Sequence, residues 1–207
     1  GCVYWHMVSK LLVATFENFY AAVEAGQPED ITNRLAKLYY KVRAGIGFNK
    51  SPAQYGAFPP DPYSHTPKHA GAQQPGMTGQ VKEELVSRFA ELGIRVKAGV
   101  ATFNPALLRP QEFSDKAHDF KFVDVQENWQ ALSLDANSLC FTWCQVPIIY
   151  QLDNEATPSL SIYYKDGSED TREALNLSAQ ESKQLFKRTG EIVKISLTLN
   201  SNLLLAQ

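Results

Sequence analysis

The hydrophobic period of this chain changes at Gly93. Before it, apolar residues recur every three or four positions; after it, they alternate. A 3.6-residue stripe buries its face as a helix and a two-residue stripe as a strand. The sequence therefore predicts an α+β chain, with a helical segment over residues 1–93 and a β-rich domain, antiparallel and sandwich-like, over residues 94–207.

The helical part reads as three helices. The first runs from Tyr4 to about Glu24, with Val8, Leu11, Leu12, Thr15, Phe16 and Phe19 on its stripe, and stops at Gly26 and Pro28. The second runs from Pro28 or Glu29 to Ala44. Glu29 and Asp30 suit its first turn, Lys41 and Arg43 its last, and Gly45 its C-cap. Its expected core face is Ile31, Leu35, Leu38 and Val42. The third starts near Thr78, carries Val81, Leu85, Phe89 and Leu92, and ends at Gly93 in the position of an αL cap.

In the β-rich part, strands are expected at Ile94–Val100, Phe120–Val125, Trp129–Leu134, Leu139–Tyr150, Leu160–Lys165 and Ile192–Leu199. Turn residues such as Asp135-Ala136-Asn137 and Asp166-Gly167-Ser168 separate them. Ser178 to Arg188 fits a short helix or a polar connection. Cys140 and Cys144 fall in one apolar run. On a single strand their offset of four puts both on one face, as buried thiols rather than metal ligands.

Charge and hydropathy exclude several partners. A net charge of −2 leaves no basic footprint for nucleic acid, and no apolar run is long enough to cross a bilayer. The first residues carry neither a basic n-region nor a cleavage pattern. They also lack a starting Met, which raises the expectation that the chain begins partway through a longer one.

Between the second and third helices, residues 45–77 show neither period and hold six prolines, Pro52, Pro59, Pro60, Pro62, Pro67 and Pro75. Loops this long are uncommon inside a domain, and Tyr55, Phe58 and Tyr63 argue against a disordered linker. Candidate ligand-binding residues gather here. Tyr63 offers an aromatic face for a sugar ring, and His65, His69, Gln73 and Gln74 offer hydrogen bonds to hydroxyls. A proline-stiffened surface loop that satisfies its own backbone is the alternative. A metal site on His65 and His69 would need a helix, which Pro67 between them opposes, so no metal is expected. Gly76-Met77-Thr78-Gly79-Gln80 opens the third helix as an anion-binding N-terminus or as a plain N-cap. Glu83 and Glu84 fit the helix dipole there, or a general base that faces the loop.

Three stretches carry a family resemblance. Val3-Tyr4-Trp5-His6-Met7-Val8 looks like the apolar-aromatic-x-His entry to a late barrel helix in six-hairpin, (α/α)6-toroid glycoside hydrolases and phosphorylases. Met77-Thr78-Gly79-Gln80, running on to Leu92-Gly93-Ile94-Arg95, is similar to the Thr-Gly-Thr segment and last barrel helix of the cellobiose and chitobiose phosphorylases. Gly99-Val100-Ala101-Thr102-Phe103-Asn104-Pro105 resembles the strand that starts their C-terminal β domain. The phrase Asp61-Pro62-Tyr63-Ser64-His65-Thr66-Pro67 looks like a trait of a bacterial branch.

The resemblance implies a partial α/α toroid ahead of the β domain, a carbohydrate ligand, possible use of phosphate, and no cofactor. It assigns His6 and Thr78 to the subsite beside the scissile bond, with Gln80 standing where the family has a second Thr. The family's catalytic Asp lies upstream and has no counterpart here. The expectation is thus the C-terminal fragment of an enzyme that cleaves glycosidic bonds, inactive alone and completed by the missing N-terminal part. A stand-alone carbohydrate-binding or protein-interaction module, or a structural domain without a ligand, is the alternative. If the fragment reading holds, the first two helices should show apolar patches meant for absent neighbours.

Overall fold

The computed structural model describes residues 2–45 and 81–205, with their side chains except at positions 2–6 and 81–82. The chain divides into two units, Gly1–Ala90 and Glu91–Gln207. It is α+β, with helices first and a sheet domain after them.

The first unit holds α1 (Cys2–Glu24), α2 (Glu29–Gly45) and α3 (Val81–Glu91). Gly26, at φ +62°, turns the chain out of α1, and the N–H groups of Gly26 and Gln27 return to the carbonyls of Val23 and Ala22. Pro28 then leads into α2, whose first turn carries Glu29 and Asp30. The core between the helices is aromatic. Leu12, Phe16, Phe19 and Tyr20 of α1 are buried, as are Ala36 and Tyr39 of α2. Phe16 meets Tyr39 edge-on at 6.5 Å between ring centroids.

On α2 and α3 the buried faces are not the expected ones. On α2, Ala36, Tyr39 and Arg43 are buried, whereas Ile31 and Leu38 of the expected stripe are exposed. On α3, Glu84, Ser87 and Ala90 are buried, whereas Leu85 and Phe89 are exposed. On α1 most of the expected stripe is buried, with Leu12, Thr15, Phe16 and Phe19 inside, and Leu11 of that stripe is 54% exposed. On α3 the more polar of two candidate faces turns inward, whereas α1 buries its apolar and aromatic stripe.

The second unit opens with a hairpin, β1 (Ile94–Lys97) and β2 (Val100–Phe103). The sequence predicted one strand over Ile94–Val100. Instead Ala98 and Gly99 both take positive φ, +48° and +78°, and make a two-residue turn. Gly93 also sits at positive φ, +75°, and a Cβ there would collide with the Asn104–Pro105 backbone. Only glycine fits that approach.

A separate ribbon pairs β3 (His118–Val123) with β4 (Trp129–Leu134). The main sheet contains β5 (Ser138–Trp143), β6 (Val146–Leu152), β7 (Ser159–Tyr164), β8 (Glu169–Arg172) and β9 (Ile192–Leu199), in the order β5-β6-β9-β7-β8. All its pairs are antiparallel except β6–β9. That parallel pair arises because β9 returns after α4 (Ala179–Phe186) and inserts between two hairpins. Ile148, Tyr150, Leu160, Ile162, Ile195 and Leu197 form one buried face, with Leu177 and Leu185 packed in the same core.

The expected single strand over Leu139–Tyr150 is likewise a hairpin, turning at Cys144 and Gln145 (φ +52° and +64°). Cys144 therefore lies in the turn and does not share a strand face with Cys140. Burial pushes the Cys140 thiol up to about 12 and raises that of Cys144 as well, with Arg188 opposing the latter. Both are free thiols, and neither environment favours a reactive thiolate.

A buried carboxylate ties α4 to the sheet. Glu181 accepts hydrogen bonds from Arg172 (2.7 Å), the Tyr164 hydroxyl (3.0 Å) and the Ser178 backbone N–H (2.6 Å). Ser178 and Glu181 form a capping box at the start of α4. Burial opposes the charge on Glu181. The bonds from Arg172, Ser178 and Tyr164 outweigh it and hold the carboxyl at about 2. Burial, with Glu181 adding to it, lifts the Tyr164 phenol to about 12.

Because the folded pKa of Glu181 lies below its unfolded value, its contribution is complete above the unfolded pKa. It is lost as pH falls from there through about 2. Glu181→Gln keeps a capping-box residue but removes the charge. At pH 7 it should cost about 2–3 kcal/mol in urea unfolding, with the penalty shrinking toward pH 2. A penalty that does not change with pH would contradict the network.

Candidate functional site

Side-chain contacts along α3 define how the helices of the first unit run. Lys10 of α1 lies 3.9 Å from Glu83, and the Tyr20 hydroxyl donates to the Ala90 carbonyl at 2.6 Å. Contacts therefore advance together along α1 and α3, which run the same way. On α2 the order reverses. Arg43, near its end, meets Glu84 at 2.6 Å, while the earlier Tyr39 donates to the Ser87 carbonyl at 3.4 Å. Thus α2 runs against both neighbours.

This geometry gathers three chain positions at one end of the unit. The beginning of α1, the end of α2 and the beginning of α3 all lie there. His6 is one helical turn before Lys10 in α1. Gly45 ends α2, and Val81, directly after Gln80 in the sequence, begins α3. Both ends of the loop segment and the helical turn that carries His6 consequently share one end.

The side chain of His6 lies outside the described residues, as do Tyr63, His65, His69, Gln73, Gln74, Thr78 and Gln80. The described structure defines the scaffold at both ends of that segment. Its most prominent feature is the Arg43–Glu84 pair, with side chains only 8% and 5% exposed. Opposite charges this close to each other and this far from water form a fixed structural contact, which speaks against Glu84 as a general base. Glu83 is less buried and faces the exposed ammonium of Lys10.

Tyr20, Tyr39 and Arg43 were not singled out from the sequence as site-forming residues. Their available signal was spacing: Tyr39 and Arg43 are one turn apart on α2. Among the described residues, no cluster of three or more His, Cys, Asp or Glu side chains is placed to hold a metal ion. No helix among them is long and apolar enough to cross a membrane. No protein-family model matches the chain, and no curated protein matches it.

Removal of one partner from a buried ion pair strands the other charge. Glu84→Gln should therefore cost about 3–5 kcal/mol in urea unfolding followed by helical circular dichroism. The double variant Arg43→Met/Glu84→Met should recover most of that loss. Additive losses from the two single changes would show that the pair is not coupled.

Proposed function

We propose that this chain is the sugar-binding C-terminal part of a six-hairpin carbohydrate-active enzyme that cleaves glycosidic bonds, by hydrolysis or phosphorolysis. In this reading the shared end of α1, α2 and α3 carries the subsite. The residues assigned to sugar binding are His6, Thr78 and Gln80, with Tyr63, His65, His69, Gln73 and Gln74. The observation that carries the proposal is the convergence of the start of α1, the end of α2 and the start of α3. Residues far apart in sequence need such an end to act on one ligand.

The outward faces support the same reading. Met7 and Leu11 on α1, Ile31 and Leu38 on α2, and Leu85, Val86 and Phe89 on α3 are exposed apolar side chains. Helices of a toroid need apolar outer faces to pack against neighbouring helices. The acid that protonates the leaving group would then come from those neighbouring helices.

Saturation-transfer NMR of the chain with cellobiose and N,N′-diacetylchitobiose tests the proposal. Binding of either sugar should weaken about tenfold or more in His6→Ala and in Thr78→Val, with helical circular dichroism unchanged. Enhancement of sugar binding by inorganic phosphate would select phosphorolysis. Failure of both sugars to bind, or binding indifferent to both substitutions, would overturn the subsite.

A further inference from the structure

The second unit contains a cleft of about 500 Å³ between the β3–β4 ribbon and one end of the main sheet. Its size falls within the range of metabolite sites. It lies wholly in residues that the sugar reading does not use.

The cleft is held open by a braced tip. At the turn of the ribbon, Asp124 accepts the backbone N–H groups of Gln126 and Asn128, both at 2.9 Å, and the Gln130 side chain at 2.7 Å. Gln145, in the β5–β6 turn, donates to the Asp124 carbonyl at 2.8 Å and accepts from Arg188 at 3.0 Å. Gly190 (φ +78°) lies against the same tip. A Cβ there would come within 2.7 Å of the Gln126 amide nitrogen and 3.2 Å of Val125. The ribbon is thereby fixed to the end of the sheet before any ligand arrives, which lowers the ordering cost of binding.

Its chemistry is unequal around the cavity. Phe122, Val125 and Leu132 line the ribbon side, and Val146, Ile192 and Tyr163 line the sheet side. The polar groups are few. Gln126 and Gln130 are exposed on the ribbon side, and Lys194 holds its ammonium 3.7 Å from the centre of the Tyr163 ring. Asp124 is committed to the turn, whose N–H groups and Gln130 lower its pKa. Among the described residues, Lys194 forms no ion pair with a carboxylate. The three N–H bonds of an ammonium diverge, so contact with one ring face still leaves it N–H donors for an anion.

A sugar would set hydroxyls against Val125, Leu132, Val146 and Ile192, where side chains offer no partner, and each unmet hydroxyl is costly. An apolar body fits those walls, and one anionic group fits the ammonium and amides. We propose that this cleft binds a small organic carboxylate with an aromatic or branched apolar body. The body lies between the ribbon and the sheet, and the carboxylate lies at Lys194 beside Gln126 and Gln130.

The test is a ¹H–¹⁵N NMR titration of the whole chain with 3-phenylpropionate, its neutral amide 3-phenylpropionamide, and cellobiose. Phenylpropionate should give saturable shifts at Gln145, Gly190 and Lys194. Lys194→Gln should weaken it about tenfold while leaving the amide's weaker binding unchanged. Leu132→Trp, which fills the cavity from the ribbon side, should abolish both. The proposal is overturned if the cleft resonances do not move at millimolar phenylpropionate. It is equally overturned if acid and amide bind alike, if Lys194→Gln changes nothing, or if cellobiose is the ligand that shifts these residues. Sugar binding at the helical end is read from separate resonances, so either proposal can fail without the other.

Discussion

The ion pair between Arg43 and Glu84 sets the arrangement of the helical unit. It joins the last turn of α2 to the first turn of α3 across 41 residues of sequence, at 2.6 Å and nearly out of water. A buried pair is a poor source of net stability, because desolvation offsets much of the attraction. It is a strong source of specificity. If α3 slipped by one turn, both charges would be left buried without each other. The Tyr20 and Tyr39 hydroxyls, bonded to carbonyls further along α3, hold the same register. Together these contacts bring the start of α1, the end of α2 and the start of α3 to one end.

The same choice of register explains the inverted faces. With Arg43, Glu84 and Ser87 turned inward, Leu38, Leu85 and Phe89 must turn outward. A helix hairpin folding for its own stability would be expected to bury the more apolar stripe. Helix α3 instead turns Glu84 and Ser87 inward and leaves Leu85, Val86 and Phe89 exposed. Under the proposed function, those side chains meet the rest of a toroid.

Much of the fold was legible in the sequence. The helix bounds, Gly93 as an αL residue and the strands Trp129–Leu134 and Ile192–Leu199 follow from period and cap residues. The misreadings have separate physical causes. Ala98-Gly99 and Cys144-Gln145 make tight turns through positive φ at residues whose types, except Gly99, do not signal a turn. Two hairpins therefore read as two strands. Strand β8 is Glu-Asp-Thr-Arg, an edge with no apolar alternation to reveal it. The faces of α2 and α3 were misassigned because periodicity identifies a stripe, whereas tertiary packing decides which stripe is buried. For the candidate site, the sequence marked the residues, and the directions of α1, α2 and α3 give the shared end of the helices that flank them.

The account stands most directly on the nearness of position 6 to position 78. A paramagnetic label on His6→Cys, in a chain with Cys2, Cys140 and Cys144 changed to Ser, reports that nearness through the methyl resonance of Thr78. The shared helical end predicts that the label broadens this resonance strongly while leaving the methyl groups of Val23, about 25 Å further along α1, sharp. A Thr78 methyl as sharp as those of Val23 would contradict it.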